Sequence, residues 1–372
     1  MNDLIKNELH KMFISKINKI SVLFIFFISI IYGFLVVVQD QTITYYDSGI
    51  IYGSETIEFE KAIHEENIKG IGNDEINNII DEFQKIEHEK NITPDLAFNA
   101  LYSQDLRHYE EIVSFIDYTL DDDTFDQYDE ISTIETPIDF ISMWKAKTKS
   151  TEDVNDFSFG YSRGYQRYIK KFTDLFLFLA IGLSICLSKM FSNDKESKTE
   201  ELIRTSANSG KKLYAAKTIS GIIFSFLMYV LILIPYTAII FFAYGSVGNE
   251  VSIQFGLSPL FPYLMTYGGL LLKTVFVGSL ASVFMAIMIM FFSKLFLSSS
   301  IAITCSVVLS FIPSIVISLL NLGSTSLLRY LFPITVVDVS SILHFRWFQL
   351  LFILLIMQLM ILKLMSIRKD RV

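Results

Sequence analysis

Cysteine is almost missing from this chain of 372 residues: Cys186 and Cys305 are the only two. Both lie in apolar runs, and residues 39–168 contain none, so no disulfide framework supports that polar stretch. Buried thiols of this kind act as small apolar fillers. Histidine is also scarce, and His64, His88 and His108 stand in separate polar segments without a zinc-ligand spacing. The chain has no G-x-x-x-x-G-K-[ST] loop; Gly210-Lys211-Lys212 is the nearest approach, with Thr205 where the first Gly should be. A cleavable signal peptide is excluded by its missing signs. The uncharged run Ile20–Val38 exceeds the roughly 7–15 residues of a signal core, and no A-x-A-like site follows it.

What the chain does have is apolar length. Hydrophobic residues make up 52% of it, including 33 Phe, and they gather into runs near the roughly 20 residues a spanning helix needs. Six spans are predicted: 20–38, 172–191, 218–244, 264–292, 295–320 and 347–364. The second is short, because Asp174 and Lys189 bracket its apolar part. The fifth carries Pro313, which a membrane helix tolerates when neighbours satisfy the freed carbonyl.

Charge is as uneven as hydropathy. Residues 39–168 hold 29 acids against 10 bases, while the remainder holds 10 acids and 21 bases. With the N-terminus inside, the short loops and chain ends put 16 Lys and Arg on the cytoplasmic side, against only Arg329 and Arg346 in the short loops opposite. The expected architecture is therefore an all-α integral membrane protein with both ends cytoplasmic. Residues 1–38 form the N-terminus and first span, 39–168 an acidic extracellular domain, and 169–372 spans two to six with an inner loop at 192–217. The outer domain should be mainly helical. Ile76, Ile79, Ile80, Phe83 and Ile86 recur at helical steps within 73–90. Thr93-Pro94 reads as a helix start, and Leu101 to Ile116 as a second amphipathic helix. Residues 121–156 carry no pattern that assigns them.

Several motifs point to chemistry their surroundings do not support. Gly160-Tyr161-Ser162-Arg163-Gly164 spells a nucleophile elbow, which needs a strand before it and Asp then His after it. No strand is predicted there, and His344 is the only later histidine. Glu200-Glu201 with Arg204 has neither the spacing nor the histidines of an intramembrane protease. The acidic run 121–130 lacks the Gly and closing Glu of a calcium loop and reads as a solvated loop. Two charges near spans are candidates for translocation or gating. Lys273 is either inside the fourth span or at its outer interface, and Asp338 sits in an apolar stretch that reads as re-entrant or interfacial.

The inner loop is the most patterned segment. Leu202 and Ile203 stand apolar among charges, a Ser/Asn/Gly break follows, and a basic entry leads into span three. On the residues alone it is either a docking element for a soluble partner or an ordinary basic loop. Glu196, Thr199, Leu202, Thr205, Gly210, Lys212, Leu213 and Lys217 match, in order, the coupling segment of type-2 ATP-binding-cassette (ABC) transporter permeases. The chain resembles that family along most of its length, including the large domain after the first span, the Pro-containing region before span four, and the Ser293-Lys294 to Ser298-Ser299-Ser300 junction. Asn208-Ser209 departs from the family's commoner basic or Pro residues.

The resemblance implies a permease subunit, not an enzyme, in a bacterial cell membrane, with no cofactor of its own and no nucleic-acid partner. ATP and Mg would be held by a separate ATPase subunit in two copies. A second permease half, identical or paralogous, would complete the bilayer-embedded complex. Coupling would fall to Glu196, Thr199, Glu201, Leu202, Arg204, Thr205, Gly210 and Lys212. Export is the family's usual direction. The acidic domain could steer a cationic amphipathic substrate such as an antimicrobial peptide by long-range attraction. The alternative is a membrane-anchored receptor or scaffold whose acidic domain binds a ligand for signalling.

Overall fold

The computed structural model describes residues 1–40, 44–46, 49–51, 54–65, 69–90, 110–120, 134, 137–199, 210–320, 323 and 326–366. Those residues are mostly helical and divide into two compact units.

The first unit holds Met1–Phe34, Tyr168–Ile239 and Leu272–Val372. Its N-terminal pair is α1 (Asn2–Ile14) and α2 (Lys16–Asp40). In the chain numbering used below, α7 (Arg163–Leu187) and α8 (Lys189–Glu196) follow, then α9 (Gly210–Tyr244), α10 (Tyr267–Leu295) and α11 (Ser299–Leu319). A 3-10 turn (Leu327–Leu331) and two short helices, α12 (Pro333–Val336) and α13 (Val339–Leu343), lead to α14 (Trp347–Met365). Among the described residues six helices are long and apolar enough to cross a membrane, as the composition predicts. Their surfaces agree with a multi-pass membrane protein. Leu23, Phe24, Phe27, Ile31 and Phe34 of α2 and Leu351, Leu355, Leu359 and Leu362 of α14 are exposed. In water such a patch would exceed what a soluble monomer shows; lipid is its natural solvent.

Small residues allow close packing inside this unit. A Cβ on Gly182 of α7 would lie 1.8 Å from Ile25 Cδ1 of α2, so the Ile25 side chain fills the space that glycine leaves and would have to turn aside for any larger residue. Asp174, which shortens the apolar part of α7, receives the Tyr32 hydroxyl from α2 at 2.8 Å. Tyr32 in turn stacks on Tyr236 with ring centroids 6.0 Å apart. Pro235 lies inside α9 and Pro313 inside α11 without ending either helix.

The second unit holds Leu35–Arg167 and Ile240–Leu271. Its described residues are mainly helical, as expected, and add four short strands that the sequence does not reveal. Strands β1 (Thr44–Tyr46) and β2 (Gly49–Ile51) pair antiparallel, as do β3 (Lys69–Ile71) and β4 (Phe157–Phe159). Around them stand α3 (Ser54–Glu65), α4 (Asn73–Lys90), α5 (Glu110–Leu120) and α6 (Phe140–Thr148). Helix α4 has the bounds its periodicity predicts, with Ile76, Ile79 and Ile80 buried. The Thr93-Pro94 start, residues 101–109 and the acidic run 121–130 lie outside the described residues.

An aromatic core holds this unit. Phe115 of α5 meets Phe140, Phe157 and Phe255 with centroids 5.0–5.2 Å apart and near-perpendicular rings, the edge-to-face geometry their quadrupoles favour. Phe255 comes from the 245–266 connection, treated above as a loop between spans. Its Val251, Ile253, Phe255 and Phe261 are buried, and Trp144 Nε1 donates to Pro259 O at 3.0 Å. Gly248 makes the turn possible: its φ is +99°, and a Cβ there would lie 2.1 Å from Tyr161 O. Asn73 and Asn77, one turn apart on α4, grip the backbone at Ile141 and Ile138. Asp139 caps α6, and the Ser142 and Asn73 side chains hold its carboxyl below the usual carboxylate range.

Candidate functional site

The sequence between Leu187 and Gly210 decides the site. Helix α7 stops at Leu187, and the backbone continues through Ser188 into the polar octet Lys189–Glu196, α8. Breaking a helix frees backbone groups that need new partners. Ser293, fully buried near the end of α10, supplies them. Its Oγ accepts from Phe191 N at 2.9 Å and Ser192 N at 3.1 Å, and donates to Ser188 O at 2.5 Å.

The polar side chains of α8 then reach three further helices. Lys217 of α9 donates to Asp194 Oδ2 at 2.5 Å and Met190 O at 3.0 Å, and its ammonium stands 5.8 Å from the Phe191 ring centre. Only 8% of the Lys217 side chain and 15% of the Asp194 side chain are exposed, so this is an interior ion pair. Lys195 donates to Lys294 O and to Phe296 O, the carbonyls at the end of α10. Glu196 Oε1 accepts from Ser299 N at 2.6 Å and Ser299 Oγ at 3.0 Å, at the start of α11. A cation thus meets a helix C-terminus and the next residue, an anion, meets a helix N-terminus. Both match the sign of the helix dipole.

Lys294 extends the cluster to the chain's last described helix. It donates to Lys363 O, Leu364 O and Ser366 O, closing the C-terminus of α14, and lies 4.6 Å from the Tyr214 ring centre.

The exit from α8 stores backbone strain. Thr199 N donates to Asp194 O and Lys198 N to Lys195 O, which closes the helix by the two bonds of a Schellman turn. The turn needs a left-handed residue, and Lys198 takes φ 54° where glycine is usual. Lys198→Gly is expected to raise stability by about 0.5–1 kcal/mol, since an exposed lysine gains nothing there in exchange. Thermal unfolding in detergent checks this, and a drop in midpoint would contradict the strain.

Of the residues named by the sequence, Glu196 and Thr199 belong to this cluster, Gly210 begins α9 and Lys212 is exposed on it. Glu201, Leu202, Arg204 and Thr205 lie outside the described residues. Asp194, Lys195, Ser293 and Lys294 carry most of the contacts but do not stand out by type or spacing; only the Ser293-Lys294 junction is visible in the sequence. Lys273 and Asp338 meet elsewhere, around α13. Asp338 precedes its first turn and binds Arg329 at 3.2 Å and Ser340 Oγ, while Lys273 donates to Leu343 O at its other end at 2.8 Å. Again an anion marks the start of a short helix and a cation its end. Lys273 is the seventh residue of α10, which begins at Tyr267.

The nucleophile-elbow expectation needs one correction. A strand does precede the motif: β4 ends at Phe159 and α7 begins at Arg163. Three residues pairing with β3 are too few for periodicity to reveal. Yet Ser162 is buried, lacks the positive φ of a strained elbow, and accepts from Gln166 Nε2 at 3.0 Å. Gln166 also donates to Glu111 Oε1 at 2.8 Å. This is a polar knot at a helix start. Among the described residues no three His, Cys, Asp or Glu side chains form a group able to hold a metal ion.

No protein-family model, curated protein or solved structure matches the chain.

Proposed function

We propose that this chain is the membrane-spanning permease subunit of an ATP-driven exporter of the type-2 ABC kind. One arrangement carries the reading. Helix α8, which leads directly into the segment 200–209, is joined by polar contacts to α9, α10 and α11, buried at Ser293 and partly buried at Lys217, Lys195 and Glu196. A partner subunit pushing on 200–209 would therefore act on three candidate spans at once. An ordinary connecting loop has no need of an interior ion pair and two matched helix caps.

On this reading the chain's ends and residues 192–217 face the cytoplasm of a bacterial cell, and 39–168 faces outward. Two ATPase subunits bind ATP and Mg, and a second permease half completes the pathway. The substrate is a hydrophobic or cationic amphipathic compound, drawn from the membrane or by the acidic domain's excess charge. That same excess, 29 acids against 10 bases, favours the rival reading of a ligand-binding receptor.

Co-purification with a small soluble chain bearing a Walker sequence, encoded beside this one, separates the two. The expected result is a complex whose ATPase rate falls about tenfold, or about 1.4 kcal/mol of barrier, in Glu201→Ala with Leu202→Ala. If no ATP-binding subunit co-purifies and the double variant changes nothing, the exporter reading fails. A neighbouring kinase-like chain that responds to ligand would replace it with the receptor.

A further inference from the structure

The bend between α1 and α2 contains features that the exporter reading does not use. Helix α1 ends at Ile14, Ser15 is extended, and α2 begins at Lys16. Asn18, itself buried, closes the bend by donating from its side chain to Met12 O at 3.0 Å, satisfying a carbonyl that the end of α1 leaves open. The bend is anchored from the other side, where Ser220 Oγ of α9 donates to Ile5 O and the Phe13 and Phe224 rings lie 5.3 Å apart. It is a fixed shape.

Beside it is a cavity of about 220 Å³ lined by Phe13, Asn18, Lys19, Val22 and Leu23. Its lining is almost wholly apolar, from Phe13, Val22 and Leu23. Lys19, which also lines it, is itself exposed and so keeps its charge at the cavity's edge. Lys16, one helical turn earlier on the same side of α2, is exposed as well. The first 20 residues hold four lysines against two acids, and Glu8 is already engaged by Lys11 at 2.6 Å. Phe13, Ile17, Ile20 and Leu23 are exposed around the cavity, so its surroundings suit lipid.

We infer that this cavity binds an anionic phospholipid, with the headgroup phosphate at Lys19 and Lys16 and the start of the acyl chains against Phe13, Val22 and Leu23. A soluble phosphate would have no use for three apolar walls. An uncharged lipid or detergent would have none for the lysines. The volume is below the roughly 300–1,000 Å³ of sites that enclose a drug-sized ligand, so the cavity grips a headgroup and the first methylenes while the chains run along α2. The inference rests on the membrane-spanning helices and not on the exporter reading.

The test uses the full chain in nanodiscs of phosphatidylcholine with a minor fraction of phosphatidylglycerol, released into native mass spectrometry. The wild type is expected to retain phosphatidylglycerol selectively. Lys19→Gln should cut that retention about fivefold, the ratio that matches about 1 kcal/mol for one lysine near anionic lipid. Lys6→Gln, the same charge loss on an exposed part of α1, should leave it unchanged, and Val22→Trp, which fills the cavity, should lower it with every lysine in place. Excess glycerol phosphate should not displace the lipid. Equal retention of both lipids, equal effects of the two lysine variants, or displacement by glycerol phosphate would each overturn the proposal.

Discussion

Lys217→Met is expected to destabilise the chain by about 3–5 kcal/mol, the cost of leaving a buried partner's charge uncompensated. The alternative estimate is the 0–1 kcal/mol of an exposed ion pair. Three observations select the larger figure. Both side chains are at least 85% covered, the ammonium also binds Met190 O, and it lies beside the Phe191 ring. Methionine keeps the stem's apolar contacts, so the loss reports charge and hydrogen bonding instead of volume. Asp194 would then face Phe191 and the α8 backbone with no cation. Adding Asp194→Asn to Lys217→Met should restore most of the stability, because a buried pair removed together is close to neutral. Unfolding in detergent at fixed protein concentration measures both. A single-variant loss under about 1 kcal/mol, with no recovery in the double variant, would mean that water reaches the pair. Under the proposed function the double variant has a second use. It should fold, yet transmit less of the ATPase cycle to α9.

How much of this was legible beforehand depends on the range of the interaction. Span positions follow from local composition, and α4 from its own periodicity, so both emerge from sequence, although α7 and α9 begin nine and eight residues before the apolar runs that announce them, at Arg163 and Gly210. The junction 188–196 shows the opposite case. Asp194 and Lys217 are 23 residues apart across a segment of Ser, Asn and Gly, and nothing local announces their pairing. Lys195 and Glu196 look like an ordinary charged helix end. Their meaning comes from the α10–α11 turn a hundred residues later, where a C-terminus and an N-terminus lie side by side. Residues 245–266 fail for a related reason. Val251, Ile253 and Phe255 alternate with Ser252 and Gln254 too briefly to form a pattern, although all five are buried. They pack against α5 through one aromatic contact and against β4 through two, with Ser252 bonded to Ser158. Strand β4 is three residues long, and its pairing partners are 86–90 positions earlier.

Ser293→Ala is the second large effect, about 2–4 kcal/mol, although it removes one oxygen. The hydroxyl serves three backbone groups: it accepts from Phe191 N and Ser192 N and donates to Ser188 O. Each buried group left without a partner costs about 1–3 kcal/mol. Polar contacts between membrane helices, measured as pairs, average only about 0.6 kcal/mol. The lower figure applies where the unfolded reference finds other partners. Here two of the groups are backbone amides in the first turn of α8, beside the Ser293 side chain that accepts from both. Ser188 O keeps the Ser192 Oγ donor at 2.8 Å, so the expected cost lies above the pairwise average and below the sum of two full amide penalties. Hydrogen exchange locates the effect. The amides of Phe191 and Ser192 should exchange faster in Ser293→Ala, while the α4 amides, in the other unit, keep their protection. Ser293→Thr keeps the oxygen and adds a methyl group to a fully buried site, so it should restore the slow exchange at some cost in packing. If Ser293→Ala leaves both amides protected, α8 is held by its ion pair and caps alone, and the break at Ser188 is a consequence of α8's placement instead of its cause.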